Sequence, residues 1–363
     1  MTDVNFPLLE YKKLNNYNNG CIHGETFREE IRELADIRRE LLFFKNPRIK
    51  SSVKELALQQ FLISQDFSPE ITKELEGISN GSGVSLENIV LLNNYTDFRD
   101  ISLPDEGCST IQYVGEKETI AGQTWDMHKS AKQYVCLINI EQTGEIPAQV
   151  LFSLVGCVGM MGYNAHNLMV GVNNLNTTNA NASLIWPILI REALKSKNYP
   201  DLKKMVKEAP VTSGHNYLVS SPSEGSHLEV TPTSSEEVSR IDKDCKYIFH
   251  TNHCIGLETK KQEVPKSINS TTQERYNILE AYKDKSLDFS SGLRILKGHE
   301  NYPKSICSHF EANTQDPSTT CGGALGSFQE NIFHFWRGCE KYDENYIEYN
   351  FKLSEDKESF IRV

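Results

Sequence analysis

This sequence lacks the features that mark several large classes of protein. It has no long apolar run, because the least polar stretch, residues 150–161, is too short to span a bilayer and is interrupted by Gly156 and Gly159. It has no dense basic patch or arginine-rich arm, and its net charge is −11. We therefore expect neither a nucleic acid nor a membrane surface as a partner. Its nine cysteines contain no Cys-x-x-Cys pair, so neither a zinc site nor redox chemistry is expected.

The start of the chain also lacks a recognisable targeting signal. Residues 1–7 do not show the charged-then-apolar order of a signal peptide, so a cytoplasmic protein is expected. In that compartment the cysteines are expected to be free thiols. What remains is an ordinary soluble composition, with 38% hydrophobic and 24% charged residues over 363 positions. Such a length predicts one large or two modest domains.

Residues 1–107 predict a helical leader. Apolar residues recur at helical spacing over 26–44 and again over 53–62. Ser68-Pro69 and Ser85 are typical helix starts, and the glycines at 81 and 83 separate them. We expect these helices to pack on the sheet that follows them.

The period changes from Ser109 onward, where short β-branched or aromatic runs alternate with Gly, Asn or charged turns. Helical patterns interrupt these runs at 184–197, from Pro200-Asp201 onward in a short helix, and at 270–285 and 289–297. Residues 108–363 therefore predict an α+β body with two sheets and helices outside them. The predicted strands lie within 110–114, 119–124, 133–140, 149–154, 168–172, 215–220, 227–231, 237–241, 246–250, 331–336 and 346–351.

Cys108 lies at the junction between leader and body. Most free cysteines are small buried hydrophobes, and that interpretation stays open for this one. The neighbouring residues favour a nucleophile instead: Gly107 leaves the preceding peptide bond unshielded, and Ser109 and Thr110 supply hydroxyls. Asp126 follows at a spacing that one hairpin can span, which would bring it beside Cys108 on the adjacent strand.

Six short motifs occur in a characteristic order along the chain. They are Gly20-Cys21-Ile22-His23-Gly24, Gly107-Cys108-Ser109-Thr110, Gly122-Gln123-Thr124-Trp125-Asp126, Gly171-Val172-Asn173-Asn174, His250-Thr251-Asn252-His253 and Ser305-Ile306-Cys307-Ser308-His309. Together they resemble the acyl-coenzyme A:6-aminopenicillanic-acid acyltransferase family, which is peptidase family C45. That family comprises cysteine N-terminal-nucleophile hydrolases and acyltransferases, and it includes β-alanyl-dopamine hydrolase.

The resemblance implies a four-layer αββα sandwich that is made as a precursor and cuts itself between Gly107 and Cys108. The predicted products, residues 1–107 and 108–363, remain associated. A chain-terminal cysteine carries its own α-amine, whose reference pKa of about 7.7–8.0 lets it take the thiol's proton and later protonate a leaving group. Cleavage would thus create the nucleophile and its base together.

The resemblance also assigns supporting roles. Asp126 would hold and polarise the new amine; the alternative is a turn residue after Trp125. The Asn252 amide would donate to the oxyanion of the tetrahedral intermediate. Asn173 and Asn174 could add polar contacts or simply form turns. His253 would play a structural part beside Asn252.

The segment 250–254 does not favour a metal site. His250 and His253 lie beside Cys254, but in a strand positions 250 and 253 face opposite sides of the sheet. No metal is therefore expected there.

The family has an active-site arginine in its last third, and many relatives have a basic residue within the motif that here reads Ser305–His309. This chain has Ser308 at that place. Arg275, Arg294 and Arg337 are the remaining candidates, with Arg275 expected on a solvated helix face.

These observations predict an enzyme that cleaves a non-peptide acyl amide, or transfers the acyl group, through a Cys108 acyl-enzyme. An N-acyltransferase using an acyl-coenzyme A thioester as substrate is the alternative; no other cofactor is expected. Two further alternatives are an uncleaved hydrolase in which His128 or His253 activates Cys108, and a non-catalytic binding protein on the same fold.

Overall fold

The protein is described by a computed structural model that covers residues 6–100, 107–265, 270–311 and 316–363. Asp105 and Glu106, just ahead of the predicted cleavage point, lie outside these ranges. Among the described residues, every helix is too short or too polar to cross a membrane.

Helices form most of the described leader and cover the body. The leader carries α1 (Asn16–Thr26), α2 (Arg28–Lys45), α3 (Val53–Phe67), α4 (Pro69–Ser82), α5 (Leu86–Asn93) and α6 (Tyr95–Asp100), and the body carries α7 (Trp186–Ala193), α8 (Tyr199–Lys207), α9 (Thr272–Glu280) and α10 (Phe289–Leu296). The four predicted leader helices are confirmed as α2 to α5. Helix α1 was not expected, because its sequence is polar and its buried residues are two glycines, an asparagine and a histidine. Asn15 caps it by accepting from the Asn18 N–H at 2.8 Å.

The strands form two sheets. Across the described residues, sheet A has the strand order β1 (Leu8–Tyr11), β4 (Val135–Ile140), β5 (Gln149–Leu154), β6 (Met161–Asn164), β7 (Met169–Leu175), β8 (Gly214–Ser220), β9 (Gly225–Val230), β10 (Ser235–Arg240). Sheet B has the strand order β11 (Tyr247–His250), β2 (Cys108–Val114), β3 (Thr119–His128), β12 (Ser318–Ser327), β13 (Ile332–Arg337), β14 (Ile347–Leu353), β15 (Phe360–Arg362). Strand β1 runs parallel to β4, whereas the other described neighbours are antiparallel.

The two sheets stack face to face and helices cover both outer faces. Side chains join the sheets directly: the Gln123 amide on β3 accepts from the Val172 N–H on β7 at 2.6 Å and donates to the Val172 carbonyl at 3.2 Å. Helices α9 and α10 pack on sheet B and α8 packs on sheet A. The leader helices reach the turn that follows β5, where Ile31 and Leu92 lie against Gly156. The predicted four-layer αββα sandwich is confirmed.

The leader is built into the body rather than appended to it. Strand β1 extends sheet A at its β4 edge, with Leu9 opposite Ile138. Helices α1 and α4 touch backbone to backbone, because Gly20 and Gly24 face Gly77 and Gly81; a Cβ at Gly20 would collide with the Glu74 carbonyl. One hydrophobic core runs through both parts of the chain, so the described leader residues share the body's core.

A buried polar chain also ties the leader to sheet A. His23 Nε2 accepts from the Gly156 N–H at 2.8 Å, and His23 Nδ1 lies 2.9 Å from the Tyr11 hydroxyl. Because Nε2 accepts, Nδ1 carries the proton and donates to Tyr11. Tyr11 in turn donates to Glu74, which pairs with Arg191 at 3.0 Å. The ring of His23 is thus held as the neutral tautomer between helix α1 and the turn after β5.

Candidate active site

Cys108 is the first residue of β2, at the edge where the two sheets face each other. The predicted hairpin forms, and Cys108 pairs across it with Trp125, which places Gly107 beside Asp126. The Asp126 N–H donates to the Gly107 carbonyl oxygen at 2.8 Å. Cys108 is 7% exposed. The carbonyl that the thiol would attack therefore has a backbone donor already in place.

Gly107 lies in a narrow space between the carboxylate of Asp126 and the guanidinium of Arg275. A Cβ added at Gly107 would lie 2.7 Å from Asp126 Oδ2 and 2.8 Å from Arg275 Nη2. Since real side-chain carbons essentially never approach so closely, glycine is the residue that fits here without displacing either charge. The opposite charges of Asp126 and Arg275 thus flank the Gly107–Cys108 peptide bond.

Arg275 is buried in the site, contrary to the expectation that it lies on a solvated helix face. It is 1% exposed, because α9 packs its side chain inward past β11. Its Nη1 donates to the Cys108 carbonyl at 2.6 Å and to Ser109 Oγ at 3.0 Å. Burial lowers the pKa of the Arg275 guanidinium, while the Asp126 carboxyl and the Cys108 thiol oppose that shift. An arginine remains charged even so.

The other two candidate arginines lie elsewhere. Arg294 is exposed on α10. Arg337, near the end of β13, is buried with its guanidinium over the Phe6 ring at 5.7 Å. Arg275 is therefore the candidate that the fold brings to Cys108.

The Asn252 amide contacts the backbone on both sides of the site. Its Oδ1 accepts from the Cys108 N–H at 2.7 Å and from Arg275 Nη2 at 2.8 Å. Its Nδ2 donates to the Asn174 carbonyl at 3.0 Å. An amide has two N–H groups, so one donor beyond the bond to Asn174 belongs to the same nitrogen. Asn252 is 3% exposed, which keeps this amide away from bulk water.

Asn173 holds the Cys108 carbonyl from sheet A. Its Nδ2 donates to that oxygen at 3.0 Å, and its Oδ1 accepts from Thr110 Oγ1 at 2.9 Å. Asn216 on β8 also donates to Asn173 Oδ1 at 2.7 Å. These buried bonds fix the Asn173 side chain across the gap between the sheets. Asn174 contributes its backbone carbonyl, while its side chain donates to Asn176 at 2.9 Å.

Asp126 is connected to the motif at 305–309 through a threonine. Thr320 Oγ1 on β12 donates to Asp126 Oδ1 at 2.6 Å and accepts from the Ser308 N–H at 2.7 Å. Ser308 is itself 4% exposed. Where the resemblance implies a basic side chain, this chain presents a backbone N–H that reaches the carboxylate through Thr320.

The histidines near the site have structural contacts. His250 Nε2 lies 2.8 Å from Glu229, and His253 Nδ1 lies 3.1 Å from Thr272 Oγ1, which also accepts from the Asn252 N–H. The prediction that His250 and His253 face opposite sides is wrong. Strand β11 ends at His250, so the alternation stops there and the two rings stack 6.4 Å apart. His128 Nδ1 lies 2.8 Å from Ser130 Oγ.

Sequence reasoning missed two residues of this network. Thr320 lies in a run of small residues and glycines without strand alternation, and Asn216 lies in a predicted strand with no motif around it. Both act through a neighbour that had been identified, Asp126 or Asn173. No local pattern in the sequence marks either of them.

The arrangement provides what acyl chemistry at a cysteine requires. The thiol lies at the start of a strand, backbone and side-chain donors point at the two adjoining carbonyls, and the oppositely charged side chains of Asp126 and Arg275 flank the Gly107–Cys108 peptide bond. Such fixed donors can stabilise an oxyanion without reorganisation.

A family profile described as "AAT: Acyl-coenzyme A:6-aminopenicillanic acid acyl-transferase" matches residues 114–325, more than half of the chain. The chain belongs to this family. The acyl-coenzyme A:6-aminopenicillanic-acid-acyltransferase 40 kDa form of Emericella nidulans is 23% identical over 306 residues, which cover 83% of this chain and 84% of that one. The profile begins in the last residue of β2, so membership of the acyltransferase family rests on the body of the protein.

Solved structures that are similar to this acyltransferase-family chain include an acid amidase, a bile acid hydrolase and an acylase. The N-acylethanolamine-hydrolyzing acid amidase ortholog of Caenorhabditis elegans has a TM-score of 0.43 at 11% identity, covering 60% of this chain and 92% of its own. A mutant of the conjugated bile acid hydrolase from Clostridium perfringens has a TM-score of 0.44 at 10% identity, covering 70% and 96%. Penicillin V acylase from Agrobacterium tumefaciens has a TM-score of 0.38 at 13% identity, covering 69% and 93%.

Proposed function

We propose that this protein is a self-processing cysteine N-terminal-nucleophile enzyme. It cleaves a non-peptide acyl amide, or transfers the acyl group, through a thioester on Cys108. The observation that carries the proposal is the bond from the Asp126 N–H to the Gly107 carbonyl, beside a Cys108 whose own N–H and carbonyl are both held by side chains. Cytoplasmic location remains a prediction from the sequence.

Self-cleavage would proceed by an N-to-S acyl shift. The Cys108 sulfur attacks the Gly107 carbonyl carbon, and the developing oxyanion keeps the donor from Asp126. The C–N bond breaks, the Cys108 nitrogen takes the thiol's proton, and a thioester joins Gly107 to the sulfur. Water then hydrolyses the thioester, which leaves a Gly107 carboxylate and returns the Cys108 thiol.

The new amine would remain held by its present partners. Asn252 Oδ1 already accepts from the Cys108 nitrogen, and Arg275 fixes the same oxygen. The amine takes the thiol's proton during attack on substrate, and the negative charge of Asp126 stabilises the resulting cation. The positive charge of Arg275 acts on the amine in the opposite direction.

The acyl-enzyme then passes its acyl group to water or to an amine. The remaining N–H of Asn252 supplies a donor to the substrate oxyanion, as the family resemblance implies. Both acceptors share every step up to the thioester, and the name of the Emericella relative supports an acyl-coenzyme A thioester as an alternative acyl donor. The two chains stay associated, which β1 in sheet A supports.

The test is an intact mass spectrum of denatured, freshly purified protein beside Cys108→Ala and the control Cys245→Ala. We expect wild type and control to give residues 1–107 and 108–363, whose masses sum to the intact chain plus one water. Cys108→Ala should stay whole. An uncut wild type would contradict self-processing, and cleavage in Cys108→Ala would exclude the thiol as its nucleophile. Amide and acyl-thioester substrates, screened with and without amine acceptors, then separate hydrolysis from transfer.

A further inference from the structure

Four side chains of the types that bind zinc meet outside the Cys108 site. His299, Cys307, His309 and Cys339 each offer one ligand atom, and the four atoms lie within 4.8 Å of one another. Cys339 Sγ is 3.3 Å from His299 Nε2, and Cys307 Sγ is 3.5 Å from His309 Nε2. A tetrahedral ion with Zn–S of about 2.3 Å and Zn–N of about 2.0 Å separates sulfur from nitrogen by about 3.5 Å.

The ligands come from two segments whose backbones are fixed. The loop between α10 and β12 supplies three of them, and the Cys307 N–H within it donates to the Gly298 carbonyl at 3.0 Å. The turn after β13 supplies Cys339, whose N–H donates to Asp343 Oδ2 at 2.7 Å. Gly338, at φ +80°, makes that turn and donates to the Cys321 carbonyl at 2.9 Å. The geometry is therefore set by the fold and not by the four side chains alone.

Aromatic rings hold both imidazoles. The rings of His299 and His309 stack 5.4 Å apart, and Tyr342 packs edge-on against each of them at 5.2 and 5.1 Å. Such packing restricts the ring orientations, as neighbours of metal-binding histidines commonly do.

The site is buried yet reachable. Cys307 and Cys339 are buried, while a cavity of about 330 Å³ adjoins both sulfurs and His299. Lys297 and Lys341 also line this cavity. An ion thus has a path to two buried sulfurs, with the two half-buried histidines beside them.

We propose that His299, Cys307, His309 and Cys339 form a tetrahedral Zn²⁺ site. The spacing of these residues contains no local motif, because Cys339 lies on a different strand connection from the other three. With two thiolates the bound ion is neutral overall. The site lies behind the catalytic groups: Ser308, between two of the ligands, reaches Asp126 through Thr320. Zinc would fix that segment independently of whether the chain cuts itself.

The test measures zinc per chain by inductively coupled plasma mass spectrometry on full-length protein purified under reducing conditions and dialysed against metal-free buffer. We expect about one zinc per chain. Cys339→Ala and His309→Ala should each retain at least about ten-fold less zinc than wild type, since losing one ligand removes most of the affinity for the ion. Cys245→Ala and the exposed His166→Ala are the matched controls and should keep the metal. Equal zinc in site and control variants would overturn the proposal.

A second measurement uses wild-type protein, so its result does not depend on whether the ligand variants fold. Metal-free wild-type protein titrated with Co²⁺ should develop the intense visible bands of tetrahedral cobalt together with a thiolate-to-cobalt charge-transfer band, and Zn²⁺ should displace both. A weak octahedral spectrum would contradict the site. So would a Cys307–Cys339 disulfide whose reduction does not restore metal uptake. Repeating the titration on Cys108→Ala separates this proposal from self-cleavage, because metal binding should be unchanged there.

Discussion

Acidification should weaken the fold through the buried imidazole of His23. Burial, with a smaller effect of the Arg191 charge, lowers the pKa of His23 to about 3. The ring is also committed to the neutral form, because its Nε2 accepts from the Gly156 N–H. In the unfolded chain the same imidazole titrates near about pH 6.5.

The direction in which pH changes the unfolding free energy follows from proton uptake by His23. Between about pH 3 and 6.5 the unfolded chain binds a proton at His23 that the folded protein does not, so unfolding is favoured as the pH falls. The contribution of the neutral ring is fully present above about pH 6.5 and is lost progressively below it. At pH 5 the difference is about 1.5 pH units at about 1.4 kcal/mol each, or roughly 2 kcal/mol.

Urea unfolding of the Cys108→Ala protein, with and without His23→Gln, measures this effect at about pH 7.5 and pH 5. The uncut background keeps one chain in every sample. Glutamine does not titrate and can still accept from Gly156, while the other titrating groups cancel in the comparison. The protein with His23 should lose about 2 kcal/mol more of its unfolding free energy than the variant. Equal losses in both proteins would refute the reasoning.

Three further predictions concern the site and the leader. Arg275→Gln should slow self-cleavage by about 10²-fold or more, because the substitution removes donors to the Cys108 carbonyl and the positive charge opposite Asp126. Time-resolved intact mass spectrometry measures the cleavage rate, and a wild-type rate in this variant would contradict the role proposed for Arg275. Thr320→Val should slow cleavage less, since it removes one bond to Asp126, and equal losses in both variants would be unexpected. Gly77→Ala should lower the unfolding free energy by about 1–3 kcal/mol in urea, because its Cβ collides with the Tyr17 carbonyl; an unchanged midpoint would contradict the backbone contact.

Periodicity predicted the elements whose burial follows a simple pattern. Helices α2 to α5 and the strand pair β2–β3 have apolar stripes or alternation, and these emerge at nearly the predicted positions. Strand β12 has neither, because it lies between β3 and β13 in the middle of sheet B and is made of small residues. A Cβ at Gly323 would collide with the Trp336 indole, so the large neighbour explains the small residue. Because Trp336 lies on another strand, the residues around Gly323 in the sequence do not show why a glycine is needed there.

Some residues of the candidate site could be predicted from the sequence and others could not, as with the helices and strands. Cys108, Asp126 and Asn252 stand in motifs, and the fold brings the three together around Gly107. The burial of Arg275 could not be predicted, because a helical pattern gives the spacing of a face but not what the face meets. Whether Asp126 and Asn252 act as proposed stays a prediction.

Strand β1 has a consequence for how a two-chain form of this protein would arise. The bond at Gly107–Cys108 leads into sheet B, whereas strand β1 of the leader is paired with β4 at the edge of sheet A. Cutting that bond would convert one molecule into a heterodimer whose interface had already formed during folding. No bimolecular encounter would be needed, so assembly would not depend on protein concentration. Two pieces produced separately would instead have to meet with the edge of β4 uncovered, and open strand edges favour aggregation.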